Sequence, residues 1–107
     1  MVKKSIVTSI RKYLKALFIG GIHARRAILY GSYANGKSNK WSDIDLIVIA
    51  PEFDGVKKLE LVEKLWVKTL EADIRIEPIA CGEIEWETDV GRPILEIARR
   101  EGVEIKV

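Results

Sequence analysis

The sequence predicts a small α/β fold of the α+β kind, a mixed β-sheet with helices packed on one side of it. Three observations carry this. Stretches with apolar residues at helical period alternate with short strand-like runs, giving the order α-β-α-β-α-β-α-β. Gly20-Gly21, Gly31, Pro51, Gly55 and Gly102 punctuate the boundaries of these stretches. The 107 residues suit one domain, 1–107, with a real core but no room for a second.

Taken in order, residues 3–18 read as a helix. Ile6, Ile10, Leu14, Leu17 and Phe18 recur at helical spacing, and Gly20-Gly21 ends the run. Ala27-Ile28-Leu29-Tyr30 is an apolar strand, and Ser32 to Ser38 open a short helix. Ile44 to Ile49 form a second strand. Pro51 and Asp54-Gly55 mark a turn, after which 56–71 read as a helix with Asp54 as its N-cap. Its stripe is Val56, Leu59, Val62, Trp66 and Leu70, widened by Leu61 and Leu65, which places Trp66 in the core. Residues 72–80 alternate as a third strand, with Asp73, Arg75 and Glu77 on one face; Pro78 puts it at an edge or interrupts it. An acidic loop, Glu83 to Val90, leads to a helix over 92–101, with Pro93 in its first turn and Gly102 as its stop. Val103, Ile105 and Val107 alternate with polar residues in a last strand.

Composition narrows the class. Nearly half of the residues are apolar and about a third are charged, as in soluble globular proteins. No apolar run approaches the roughly 20 residues of a membrane span. Arg11, Lys12 and Lys15 break the stretch from Ile6 to Ile22, so no signal peptide is expected. The single Cys81 makes no intramolecular disulfide, which fits a reducing cytoplasm. Gln is absent while Lys, Glu and Ile are plentiful, a composition met in hot-living organisms. Residues 1–42 carry nine Lys or Arg and no acid; residues 43–107 carry nine basic and sixteen acidic residues, a balance of −7. The basic part either draws in a polyphosphate, RNA or an acidic partner, or is a solvated helix face. His23, the only histidine, reads as a surface residue, because an imidazole or thiolate metal site needs several such side chains.

The chemistry concentrates in Gly31-Ser32-Tyr33-Ala34-Asn35-Gly36, followed by Ser42-Asp43-Ile44-Asp45-Leu46. Gly31 permits a tight exit from its strand and a close approach by a ligand. The first N–H groups of a helix opening at Ser32 point outward unpaired and attract an anion. Asp43 and Asp45, two apart, fall on one face of a strand. Like charges held together repel, and a divalent cation is the usual reason to tolerate that. A phosphate site beside a magnesium site indicates nucleotide chemistry. Lys37 and Lys40 either neutralise phosphate charge or are solvated loop residues.

Together, Gly31-Ser32-x-Ala34-x-Gly36 and Ser42-Asp43-x-Asp45-Leu46, set between two strand-like runs, resemble the signature of the DNA polymerase β-type nucleotidyltransferases. The resemblance is strongest to their minimal nucleotidyltransferase (MNT) domains. It implies a polymerase β-like nucleotidyltransferase fold in which Asp43 and Asp45 hold a pair of Mg²⁺ ions, with Mn²⁺ a substitute. It further implies that Gly31 and Ser32 bind the β- and γ-phosphates of ATP. Family members take a third carboxylate from a later strand; Glu77, between Ile76 and Pro78, fits that pattern, and Asp73 competes. Glu77 would bind the second ion and accept the proton of an acceptor hydroxyl. Many members carry Arg directly after the Gly-Ser pair, where this chain has Tyr33.

The resemblance also points to MNT proteins that serve as antitoxins to an all-α HEPN ribonuclease. One reading is an enzyme that transfers AMP from ATP to a Tyr of such a partner. The other is a catalytically weak subunit that neutralises its partner by binding alone. An RNA- or small-molecule-modifying transferase is less favoured, and homo- or hetero-oligomers are both open.

Overall fold

In the computed structural model, which describes residues 2–107, a four-stranded mixed sheet is sandwiched between helices. The chain order is α1 (Lys4–Ile19), β1 (Arg26–Tyr30), α2 (Ser32–Asn35), β2 (Ile44–Ile49), α3 (Leu59–Lys68), β3 (Ile76–Cys81), α4 (Glu83–Thr88), α5 (Pro93–Glu101) and β4 (Val103–Lys106). Short 3₁₀ turns follow β2 at Pro51–Phe53 and α3 at Thr69–Glu71. The strands lie in the order β3-β2-β1-β4. β1 runs antiparallel to β2 and β4, while β2 and β3 are parallel and joined through α3. No helix among the described residues is long and apolar enough to cross a membrane.

Alternation along the strands supplies both faces of the sheet. Ala27 and Leu29 of β1, Leu46 and Val48 of β2, and Ile76 and Ala80 of β3 join Ile6, Ile10, Tyr13, Leu14 and Leu17 of α1 in the main core. Helix α3 adds Leu65, and the Tyr13 hydroxyl donates to the Leu65 carbonyl at 2.6 Å, so the buried phenol is satisfied as it ties the two helices. The opposite residues, Ile28, Ile47, Ile49 and Cys81, meet Leu95 and Ala98 of α5 in a second core. Helices therefore cover both faces rather than one. An apolar strand buried on two sides needs a cover on each, and α5, with Leu95 and Ala98 on one side, provides the second.

Several local expectations are corrected. Helix α3 begins at Leu59, after a turn through Gly55, and is packed through Leu61, Val62 and Leu65. Trp66 lies one residue, or ~100°, round from Leu65; it is 49% exposed instead of buried. Leu59 and Leu70 are exposed with it, because α1 covers only one side of a helix whose apolar arc is wide. Asp54 does not cap α3. Its carboxylate accepts the Ile84 and Glu85 N–H groups, so it caps α4 instead. The stretch after Gly82 is thus helix for one and a half turns or so, not loop, since a distant acid satisfies its free donors. Gly82 admits this cap, for a Cβ there would fall on the Asp54 side chain. Finally, β3 starts at Ile76 rather than 72, leaving Asp73 in the preceding turn. At the end of α1, Phe18 is half exposed and meets the His23 ring edge-on; His23 itself pairs with Glu52 at the surface.

Asp54→Ala removes an acceptor shared by two α4 amides, and the typical loss on deleting a helix cap is about 1 kcal/mol. Urea unfolding should show a midpoint lowered accordingly; an unchanged midpoint would mean that water caps α4 equally well.

Candidate active site

Strand pairing builds the site. In the register of the sheet Asp45 lies opposite Tyr30 of β1 on one side and Glu77 of β3 on the other. Alternation puts the row Tyr30–Asp45–Glu77 on the same face as Ile47 and Cys81, and Asp43 stands two residues before Asp45, at the entry to β2. Thus the structure brings together Asp43, Asp45 and Glu77, which are separated by more than thirty residues of chain.

Their electrostatics show the closeness. Burial raises the Asp45 carboxyl above its ordinary value, and the charge of Asp43 raises it further. Glu77 is raised in the same way, by desolvation first and then by Asp43 and Asp45. Burial, and then the charges of Asp45 and Glu77, push the Tyr30 phenol to about 12. Each group is therefore held against the repulsion of the others. Among the described residues no three His, Cys, Asp or Glu side chains close into a metal cage. The carboxylates form an open acidic cluster whose hard oxygen donors suit Mg²⁺ or Mn²⁺, and a cation there would relieve the crowding.

The glycine turn lies directly over this cluster. Gly31 has φ 76° and ψ −154°, a backbone that side chains rarely adopt, and a Cβ there would fall 2.3 Å from Asp45 Oδ2. Both conditions demand glycine. The Ala34 and Asn35 N–H groups donate to the Gly31 carbonyl and close a single helical turn, leaving the Ser32 and Tyr33 amides at its open start. The turn stops at Asn35, shorter than the run to Ser38, because Gly36 takes a left-handed conformation. Lys37 is exposed beyond it, and the Lys40 ammonium sits over the Trp41 ring, 5.0 Å from its centroid.

Asp73 is placed differently from Glu77. Its carboxylate accepts Arg75 Nε at 3.0 Å and Nη2 at 2.7 Å, and these hydrogen bonds hold it below the ordinary carboxylate value. The expected shared strand face does not exist: Asp73 lies in the turn, and Glu77 alone enters the row. Two further residues belong to this region and were not singled out as site residues. Tyr30 was grouped with an apolar run, and its only sequence signal was its place immediately before Gly31. Arg75 was visible only as the residue between two acids, yet its Nη1 donates to the Tyr33 hydroxyl at 3.0 Å.

The model for the nucleotidyltransferase domain matches residues 7–100, and the chain belongs to that family of enzymes as an MNT-type domain. It is also 36% identical over 55 residues to a protein of Methanocaldococcus jannaschii named "Putative protein adenylyltransferase"; the match covers 50% of this chain and 56% of the relative, so the chain spans about half of that protein's length. Among solved structures, the fold matches one described as a "putative nucleotidyltransferase" from Sulfolobus solfataricus, with a TM-score of 0.53 at 16% identity, over 97% of this chain and 87% of the other.

Two outcomes follow from the geometry. Gly31→Ala must displace the Asp45 carboxylate as well as strain the turn, so it should cost more than the ~1 kcal/mol typical of a backbone misfit; urea unfolding measures this. Asp45 has a raised carboxyl in the folded state, so its contribution to stability is intact below the ordinary aspartate value and is lost as pH rises through the raised one. In chelator-treated protein Asp45→Asn should therefore melt at or above wild type at pH 7, with the difference closing towards pH 4. A large fall in melting temperature at pH 7 would show that the acid is structural.

Proposed function

We propose that the domain transfers AMP from ATP to a protein hydroxyl, with Asp43, Asp45 and Glu77 as its carboxylates. The observation that supports this most is the register that sets Asp45 beside Glu77 while Gly31 crosses directly above it. Mg²⁺ ions, or Mn²⁺, held by Asp43, Asp45 and Glu77 would neutralise the charge that develops on the attacking and leaving oxygens. The chain supplies the rest. Gly31 and Ser32 bind the β- and γ-phosphates through backbone N–H groups and the Ser32 hydroxyl, the missing side chain of Gly31 allowing the approach. Lys37, at the end of the turn, neutralises phosphate charge. Glu77, beside Asp45 in the sheet, would take the proton from the acceptor hydroxyl. In this reading Asp73, engaged by Arg75, leaves the role of third carboxylate to Glu77.

The name of the M. jannaschii relative supports a protein as acceptor. We propose as that acceptor a Tyr of an all-α HEPN-type ribonuclease, whose modification makes this domain an antitoxin in the cytoplasm. Incubation with labelled ATP and Mg²⁺, with and without such a partner, tests it. Label should enter the partner, require the metal and vanish in Asp45→Asn. Neutralisation of the partner without label would replace the enzyme with a subunit that acts by binding alone. Glu77→Gln should lower transfer by orders of magnitude while ATP binding survives, whereas Asp73→Asn, which keeps an oxygen acceptor for Arg75, should retain turnover. The reverse pattern would exchange the two assignments.

A further inference from the structure

We propose that Arg75 is the positioning residue of this site, fixing the glycine turn relative to the acidic strands; this rests on the nucleotidyl-transfer reading above. Three contacts and its place in the chain converge on it. Its Nη1 donates to the Tyr33 hydroxyl, inside the turn, at 3.0 Å. Its guanidinium stands 5.8 Å from the Tyr33 ring centroid. Its carbonyl accepts the Ile44 N–H at 2.8 Å, and Ile44 is the residue between Asp43 and Asp45. It also directly precedes β3, two residues before Glu77.

The contacts extend further on both sides. Tyr33, buried, donates its hydroxyl proton to the Asn39 carbonyl at 3.2 Å. Asn39 is tied in turn to Ser42: its N–H donates to Ser42 Oγ at 2.9 Å, and the Ser42 N–H donates to its carbonyl at 3.1 Å. Ser42 abuts Asp43. Asp73 holds the Arg75 guanidinium by two parallel bonds, a planar fork that aims Nη1 at Tyr33. One residue thus joins these segments: its side chain reaches the turn and, through Tyr33, the loop before Asp43, while its backbone carbonyl holds the entry of β2 beside that of β3. These are the segments that carry Gly31, Ser32, Asp43, Asp45 and Glu77. Their spacing is what a triphosphate and its acceptor would need held, since small misplacements of reacting groups cost large factors in rate.

The Arg75 side chain is 38% exposed, and a partly exposed ion pair contributes little to global stability. Positioning and folding are therefore separable by experiment. In Arg75→Gln and Tyr33→Phe, backbone hydrogen exchange in the nucleotide-free protein should accelerate within residues 31–44, with little change elsewhere or in melting temperature. MgATP affinity should fall about tenfold in each, the scale of one charge-assisted hydrogen bond. Because both variants delete one shared link, the double variant should bind no more weakly than the singles. Arg75→Lys should not rescue, since an ammonium cannot span Asp73 and Tyr33 as the guanidinium fork does. Unchanged exchange over 31–44, additive losses or full rescue by Lys would each overturn the proposal. Local acceleration in the variants, together with a wild type that takes up no MgATP, would uphold the positioning and refute the nucleotide reading instead.

Discussion

The Asp45 carboxylate occupies a place that the rest of the fold is needed to maintain. It is half-buried on a central strand, level with Glu77, close to Asp43 and directly beneath Gly31. Asp43 and Glu77 make the ionised form less favourable, and at Gly31 any side chain would have to move the carboxylate. A surface loop would relax away from such crowding. Strand β2 does not, because Leu46, Ile47, Val48 and Ile49 are buried on both faces and paired on both edges. The hydrophobic effect holds the strand, and the strand holds the acid against its own electrostatics.

Mixed pairing is what makes this geometry possible. Antiparallel β1 ends at Tyr30 where β2 begins, so the chain leaves β1 through Gly31 at the same end of the sheet at which Asp43 and Asp45 enter. Parallel β3 then starts at that end too and brings Glu77 level with Asp45. A parallel return requires a crossover, and α3 provides it on the α1 side, leaving the other face to α5. Both outer edges are blocked by arginine. Arg92 donates to the Ala80 carbonyl on β3, where Pro78 has already removed a donor, and Arg11 donates to the Lys106 carbonyl on β4. Each edge ladder is thus interrupted at one carbonyl.

Parts of the site could be read from local residues because their cause is local. Gly31 was legible, since a turn leaving an apolar strand and needing positive φ accepts little else. Asp43 and Asp45 were legible as a same-face pair because strand period is fixed by covalent geometry. Asp73 and Glu77 could not be separated by pattern, for both matched a period of two. Only the start of β3 at Ile76, and an Arg75 guanidinium turned back onto Asp73, divide them. Trp66 was misplaced for a related reason: a wide apolar arc on a helix does not say which part of it a neighbour covers.

The sequence by itself determined the four strands, the helices around them other than α4, the glycine turn and the paired acids, because these depend on backbone sterics and on periodicities within a few residues. It also carried the resemblance that the family match extends over residues 7–100. Tertiary structure alone decided that helices cover both faces, that Asp54 caps α4 from thirty residues away, that Glu77 joins Tyr30 and Asp45 in one row, and that Arg75 links the turn to the acids. Those facts are distances between segments far apart in the chain. They are set by which strands pair and in what register, a choice made by burying the whole core at once and encoded in no single stretch of residues.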